Sequence, residues 1–166
     1  MDPESDGKKY LPNSKECFVC GEENAAGLQT RFYVERDIVK TPLNARVEHC
    51  GYANTVHGGV VAAALDECMC WAAARALKRC CVTAELTIRY LQRVSPTKPM
   101  TVCAEIERAH RRLAYVRGWI EGVDGEVYVR GEGSFAPLSV DQTLRVDDAL
   151  LYRGGEERVF EDLRAR

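Results

Sequence analysis

The sequence has no apolar run near the ~20 residues that cross a bilayer, and no block of Lys and Arg standing clear of acids. Its 23 basic and 25 acidic residues leave a net charge of −2. These absences argue against a membrane and against nucleic acid as partners. Residues 1–9 are polar and lack an apolar signal core, so export is not expected and the chain reads as cytoplasmic. No internal repeat or low-complexity segment interrupts it. Cys17-Phe18-Val19-Cys20 has no second CxxC to answer it. A zinc site takes four ligands, and His49 or Cys50 could join this pair only by an accident of folding. The pair is therefore read as packing, with no metal.

What is present suits one globular domain with a sizeable core: 166 residues, 46% hydrophobic and 29% charged. The eight cysteines lack a secretory context, Cys80 and Cys81 are adjacent, and Cys68 and Cys70 point to different sides of one expected helix. They read as reduced small hydrophobes.

Along the chain, residues 1–16 look like a flexible arm and 17–28 like a turn-rich entry. Strands are expected near 28–34 and 43–50, a loop at 51–56, and a helix from about 58 to 78. That helix contains two runs of three alanines and ends on cations, which suit its macrodipole. Alternation then predicts strands at 83–91, 101–107 and 113–121, an Asp124-Gly125 hairpin turn and a returning strand at 126–135. One central helix followed by an antiparallel meander argues for an α+β fold. The charged extension 139–166 holds two possible short helices, 147–151 and 156–163.

The chemistry concentrates at the central helix. His57-Gly58-Gly59 opens it, and Asp66 and Glu67 are the only charges between 60 and 74. Desolvating an unpaired carboxylate costs several kcal/mol or forces protonation, so an acid there needs a reason. A helix start offers unsatisfied N–H groups and a positive partial charge. Glycines let a ligand oxygen approach that backbone closely. Such donors suit the oxyanion of acyl transfer, and a facing carboxylate could attack the carbonyl or activate water. His57 and Asp66 lie nine positions apart, about 13 Å along the axis and roughly half a turn out of phase. One chain therefore cannot bring both to one substrate, whereas two antiparallel copies of the helix could. The pattern suggests a two-fold dimer with composite sites.

The stretch Gly51-Tyr52-Ala53-Asn54-Thr55-Val56-His57-Gly58-Gly59, continuing to Asp66-Glu67, resembles the hot-dog-fold thioesterases of the PaaI-like (phenylacetyl-CoA thioesterase) superfamily. Cys17-Phe18-Val19-Cys20-Gly21, Thr83-Ala84-Glu85-Leu86, Tyr115-Val116-Arg117-Gly118 and Gly131-Glu132-Gly133-Ser134-Phe135 agree with it in order, so the likeness covers about 17–138. The resemblance implies a long helix wrapped by a curled antiparallel sheet. It also implies dimers or tetramers with sites between subunits, an acyl-CoA thioester substrate, and no cofactor apart from the CoA of that substrate. It makes Asp66 the base or nucleophile, and Gly59, with Gly58 as second choice, the backbone donor.

This chain departs from some relatives by having Gly51 where they carry Asn or Gln, and Cys70 where they carry Thr or Ser. Asn54 is either a turn residue or a substitute for the missing amide. His57 either fixes the turn or touches the thioester. Thr83, Arg89 and Tyr90 are sheet residues or help to hold CoA. Glu67 points away from Asp66 and reads as an interface or salt-bridge group. A hot-dog protein that binds acyl-CoA or a hydrophobic ligand without hydrolysing it is the alternative.

Overall fold

The computed structural model describes residues 7–165. Its centre is the helix α1, Gly58–Leu77, which ends on Lys78 in the left-handed conformation (φ 53°). Around it curls a seven-stranded antiparallel sheet: β1 Lys9–Tyr10, β2 Tyr33–Glu35, β3 Ile38–Pro42, β6 Cys81–Tyr90, β7 Met100–His110, β8 Leu113–Gly122 and β9 Val127–Pro137. The order across it is β1-β2-β3-β7-β8-β9-β6. A separate hairpin, β4 Cys50–Tyr52 with β5 Thr55–Val56, leads into the helix.

The later strands lie where alternation predicts them, with slightly longer ends. Gly125 takes the positive φ (79°) that the hairpin turn needs. The early strands differ. Tyr33–Glu35 and Ile38–Pro42 form a hairpin turning at Arg36 and Asp37, both at positive φ. No glycine marks that turn, so periodicity alone puts the strands several residues off.

Helix and sheet approach closely at Gly118 and Gly131, cross-strand partners in β8 and β9. A Cβ at Gly118 would stand 2.9 Å from the Met69 side chain. Leu65, Cys68, Met69 and Ala73 are fully enclosed at this seam. All eight cysteines are free thiols, of which Cys20, Cys68 and Cys103 are buried. No helix among the described residues is long and apolar enough to cross a membrane.

Both ends depart from the sequence expectation. Residues 1–6 of the expected arm lie outside the described residues. From Lys9 the chain is structured: β1 pairs with β2, and Leu11 is fully buried. In the C-terminal extension a single helix, α2 Val140–Asp148, replaces the first of the two expected. It begins earlier because Ser139 and Gln142 form a reciprocal capping box. Only a 3-10 turn, Glu161–Leu163, stands in the place of the second. This extension folds back on the domain. Leu151 bridges to Asn13, Glu157 pairs with Arg75 at 3.0 Å, and Phe160 stacks on Trp71.

Candidate active site

His57 caps α1. Its Nδ1 accepts the Gly59 amide at 2.9 Å, and its carbonyl accepts the amides of Val60 and Val61. Gly58 then supplies the first-turn amide with no protein partner among the described residues. The Gly59 amide is thus engaged by its own cap. Tyr90 reaches over from β6 and donates to the Gly58 carbonyl at 2.7 Å. Gly51, His57, Gly58 and Tyr90 border a cavity of about 600 Å³. Gly51 presents no polar side chain there. Asn54, at φ 55°, holds the β4–β5 turn and accepts a hydrogen bond from Ser95, away from this cavity.

Asp66 lies two turns further along α1, about 12 Å from Gly58 by helix rise. It is half-buried, and its Oδ1 accepts a hydrogen bond from Thr83 Oγ1 at 2.6 Å. Thr83 thus holds the acid, a role that spacing could not foretell because it depends on the register of β6. Asp66 and Thr83 stand on the wall of a second, larger cavity of about 680 Å³. Cys70 lines it too, but its thiol is directed to the Cys81 carbonyl at 3.3 Å. Arg89 borders a different groove, with Arg130 and Glu132. The structure therefore groups Gly58, His57 and Tyr90 at the start of the helix and Asp66, Thr83 and Cys70 around its middle. Asn54 and Arg89 join neither group.

Residues 53–128 match the family model of the thioesterase superfamily. The chain has the hot-dog fold of that superfamily. A crystal structure of a thioesterase superfamily protein, 28% identical, superposes with TM-score 0.68 over 74% of this chain. The match takes in 63% of that protein, under two thirds of its length. The Escherichia coli PaaI protein of the phenylacetic acid degradation operon shares the fold at 12% identity and TM-score 0.61, over 68% of this chain and 81% of that one. So does a hypothetical thioesterase protein of Streptococcus pneumoniae solved with coenzyme A, at 17% identity and TM-score 0.57, over 61% of this chain and 82% of that one. No curated protein matches the sequence.

Two features of this hot-dog domain escape sequence reasoning. The C-terminal extension supplies Val146, Ala149, Leu150 and Phe160 to the Asp66 cavity, so it forms part of that cavity's wall. The second is Glu67, expected at an interface or in a salt bridge. No Lys or Arg pairs with it among the described residues. Its Oε2 lies 2.7 Å from Cys17 Sγ, with Cys20 beside them. Burial, with the nearby sulfur, pushes the Glu67 carboxyl up to about 8. The hydrogen bond with Cys20 draws Cys17 down to about 5, against the effect of burial and with help from Glu67. Glu67 sits one residue, about 100° of helix, beyond Asp66, and that offset aims it at the entry segment. Only the fold of 14–21 reveals the contact. His49 takes no part, since Nδ1 accepts the Arg46 amide and Nε2 meets the Ala26 carbonyl.

Proposed function

We propose that this protein is a homodimeric acyl-CoA thioesterase whose active sites are shared between two copies of the chain. The observation that carries the proposal is the separation of Gly58 and Asp66 into different cavities of one chain. A second copy related by a two-fold axis, with its α1 antiparallel, sets Asp66 of the partner subunit opposite the Gly58 amide. The ten-residue edge strand β6 supports this. Among the described residues it pairs on one side only, with β9, and it leaves Val82 and Tyr90 half-exposed. A long unpaired edge is suited to pairing with its own twin.

In the reaction, the thioester carbonyl oxygen accepts the Gly58 N–H at the positive end of the helix. The Asp66 carboxylate removes a proton from water as the water attacks the carbonyl carbon. The negative charge that develops on oxygen meets a preorganised amide dipole in a partly dry cleft, where it is stabilised most. Collapse of the tetrahedral intermediate breaks the C–S bond. The CoA thiolate leaves and takes up a proton. Thr83 occupies Oδ1 of Asp66 and so fixes the plane of the carboxylate, leaving Oδ2 to meet water. The coenzyme A bound to the Streptococcus pneumoniae relative supports CoA as the carrier.

Hydrolysis of an acyl-CoA panel, followed by release of free thiol, tests the reading. The Asp66→Asn variant is expected to lose about 10²–10⁴-fold in kcat, the range of a lost general base. Gly51 favours a second reading, since the cavity at the helix start has no side-chain amide there to position water. On that reading the protein binds acyl-CoA tightly and releases no thiol.

A further inference from the structure

We propose that Cys17, Cys20 and Glu67 form a site for one divalent cation of the zinc class, with its fourth coordination position open to the Asp66 cavity. The three ligand atoms lie within 4.8 Å of one another. The turn that carries the sulfurs is shaped for it. The Val19 amide donates to Cys17 Sγ at 3.3 Å, and the Gly21 amide donates to the Cys17 carbonyl at 2.9 Å. A Cβ at Gly21 would stand 2.2 Å from that carbonyl oxygen, so only glycine allows the turn to close. The turn thus presents both sulfurs to α1, where Glu67 meets them. Two thiolates and a carboxylate form the mixed sulfur and oxygen donor set that zinc accepts.

Cys17, Cys20 and Glu67 all line the cavity that holds Asp66 and Thr83. Three protein ligands with an exposed fourth position are the arrangement of an open zinc site, whereas structural sites close with four. Binding exchanges the 2.7 Å contact between Cys17 and Glu67 for two metal bonds. Ligands at tetrahedral zinc distances stand about 3.5 Å apart, so that contact widens by under 1 Å. The thiol and carboxyl protons held by the cluster pass to solvent as the ion enters. The ion would tie the entry segment to α1 and place a Lewis-acidic centre, its charge offset by the two thiolates and the carboxylate, on the cavity wall one residue from Asp66.

The test uses the full chain, reduced, and titrated with Co²⁺ and then Zn²⁺. The expected result is one equivalent of Co²⁺ with a thiolate-to-cobalt charge-transfer band, displaced by one equivalent of Zn²⁺. Cys17→Ser, Cys20→Ser and Glu67→Gln should each weaken binding by more than the about 10–100-fold typical of an outer-shell partner. Cys80→Ser and Cys81→Ser, neighbouring thiols in the same cavity, should leave it unchanged. Circular dichroism checks that each variant is folded, and the unmodified protein alone decides whether a stoichiometric site exists. Absence of the band in the reduced protein overturns the proposal. So does a band that Glu67→Gln leaves untouched, or one that depends on Cys80 or Cys81. The proposal stands apart from the thioesterase reading: metal binding without hydrolysis leaves it intact, and hydrolysis without metal binding overturns it alone.

Discussion

At the scale of single residues, the proposed chemistry depends on which amide and which oxygen are left free. The His57 ring engages the Gly59 amide, so the proposed donor to a thioester oxygen is the Gly58 amide. Gly58→Pro tests this directly. Position N1 tolerates proline because the helix does not use its N–H. His57, at φ −58° and ψ 134°, already has the backbone that precedes proline. The variant should fold, keep the dimer, and lose about 10²–10³-fold in kcat, as when one oxyanion donor is removed. Thr83→Val removes the hydrogen bond to Asp66. A lost hydrogen bond to a charged group is worth about 1.5 kcal/mol or more, so kcat should fall about tenfold or more, with KM for the acyl-CoA little changed. An unaltered kcat would mean that Thr83 does not orient the acid.

At the scale of elements, the helix and the meander carry most of the architecture. Gly118 lets α1 rest on the sheet, and Gly118→Val should overpack Met69 and cost about 1–3 kcal/mol, read from denaturant unfolding. Phe160, stacked on Trp71, anchors the C-terminal extension over the Asp66 cavity. Phe160→Ala should cost about 3–5 kcal/mol and shift the preferred acyl length in a substrate panel. Elements whose signals are local were legible in the sequence. α1 announces itself by composition and by its Gly-Gly start, and β7 to β9 by alternation and an Asp-Gly turn. The β2–β3 hairpin was misplaced because Arg36-Asp37 is an uncommon pair for a left-handed turn. At the site, Asp66 and the helix start could be read from one segment. The Thr83 contact, the Glu67–Cys17 contact and the walls given by the extension could not. Each depends on residues 17 to 94 positions away being folded against the helix.

At the scale of the whole molecule, one chain places the Gly58 amide and Asp66, the two halves of the proposed chemistry, about 12 Å apart along one rod. A particle of twice the 18.6 kDa chain mass, or a multiple of that, is expected in solution. The most direct measurement mixes two inactive variants, Asp66→Asn and Gly58→Pro, by refolding them together in equal amounts. Half of the dimers then contain one chain of each kind, and each of these has one site with both an intact Gly58 amide and an intact Asp66. Activity is expected to return to about one quarter of the wild-type level. If mixed dimers form and show no recovery, both groups act within one chain or in no common site, and the shared-site account is contradicted.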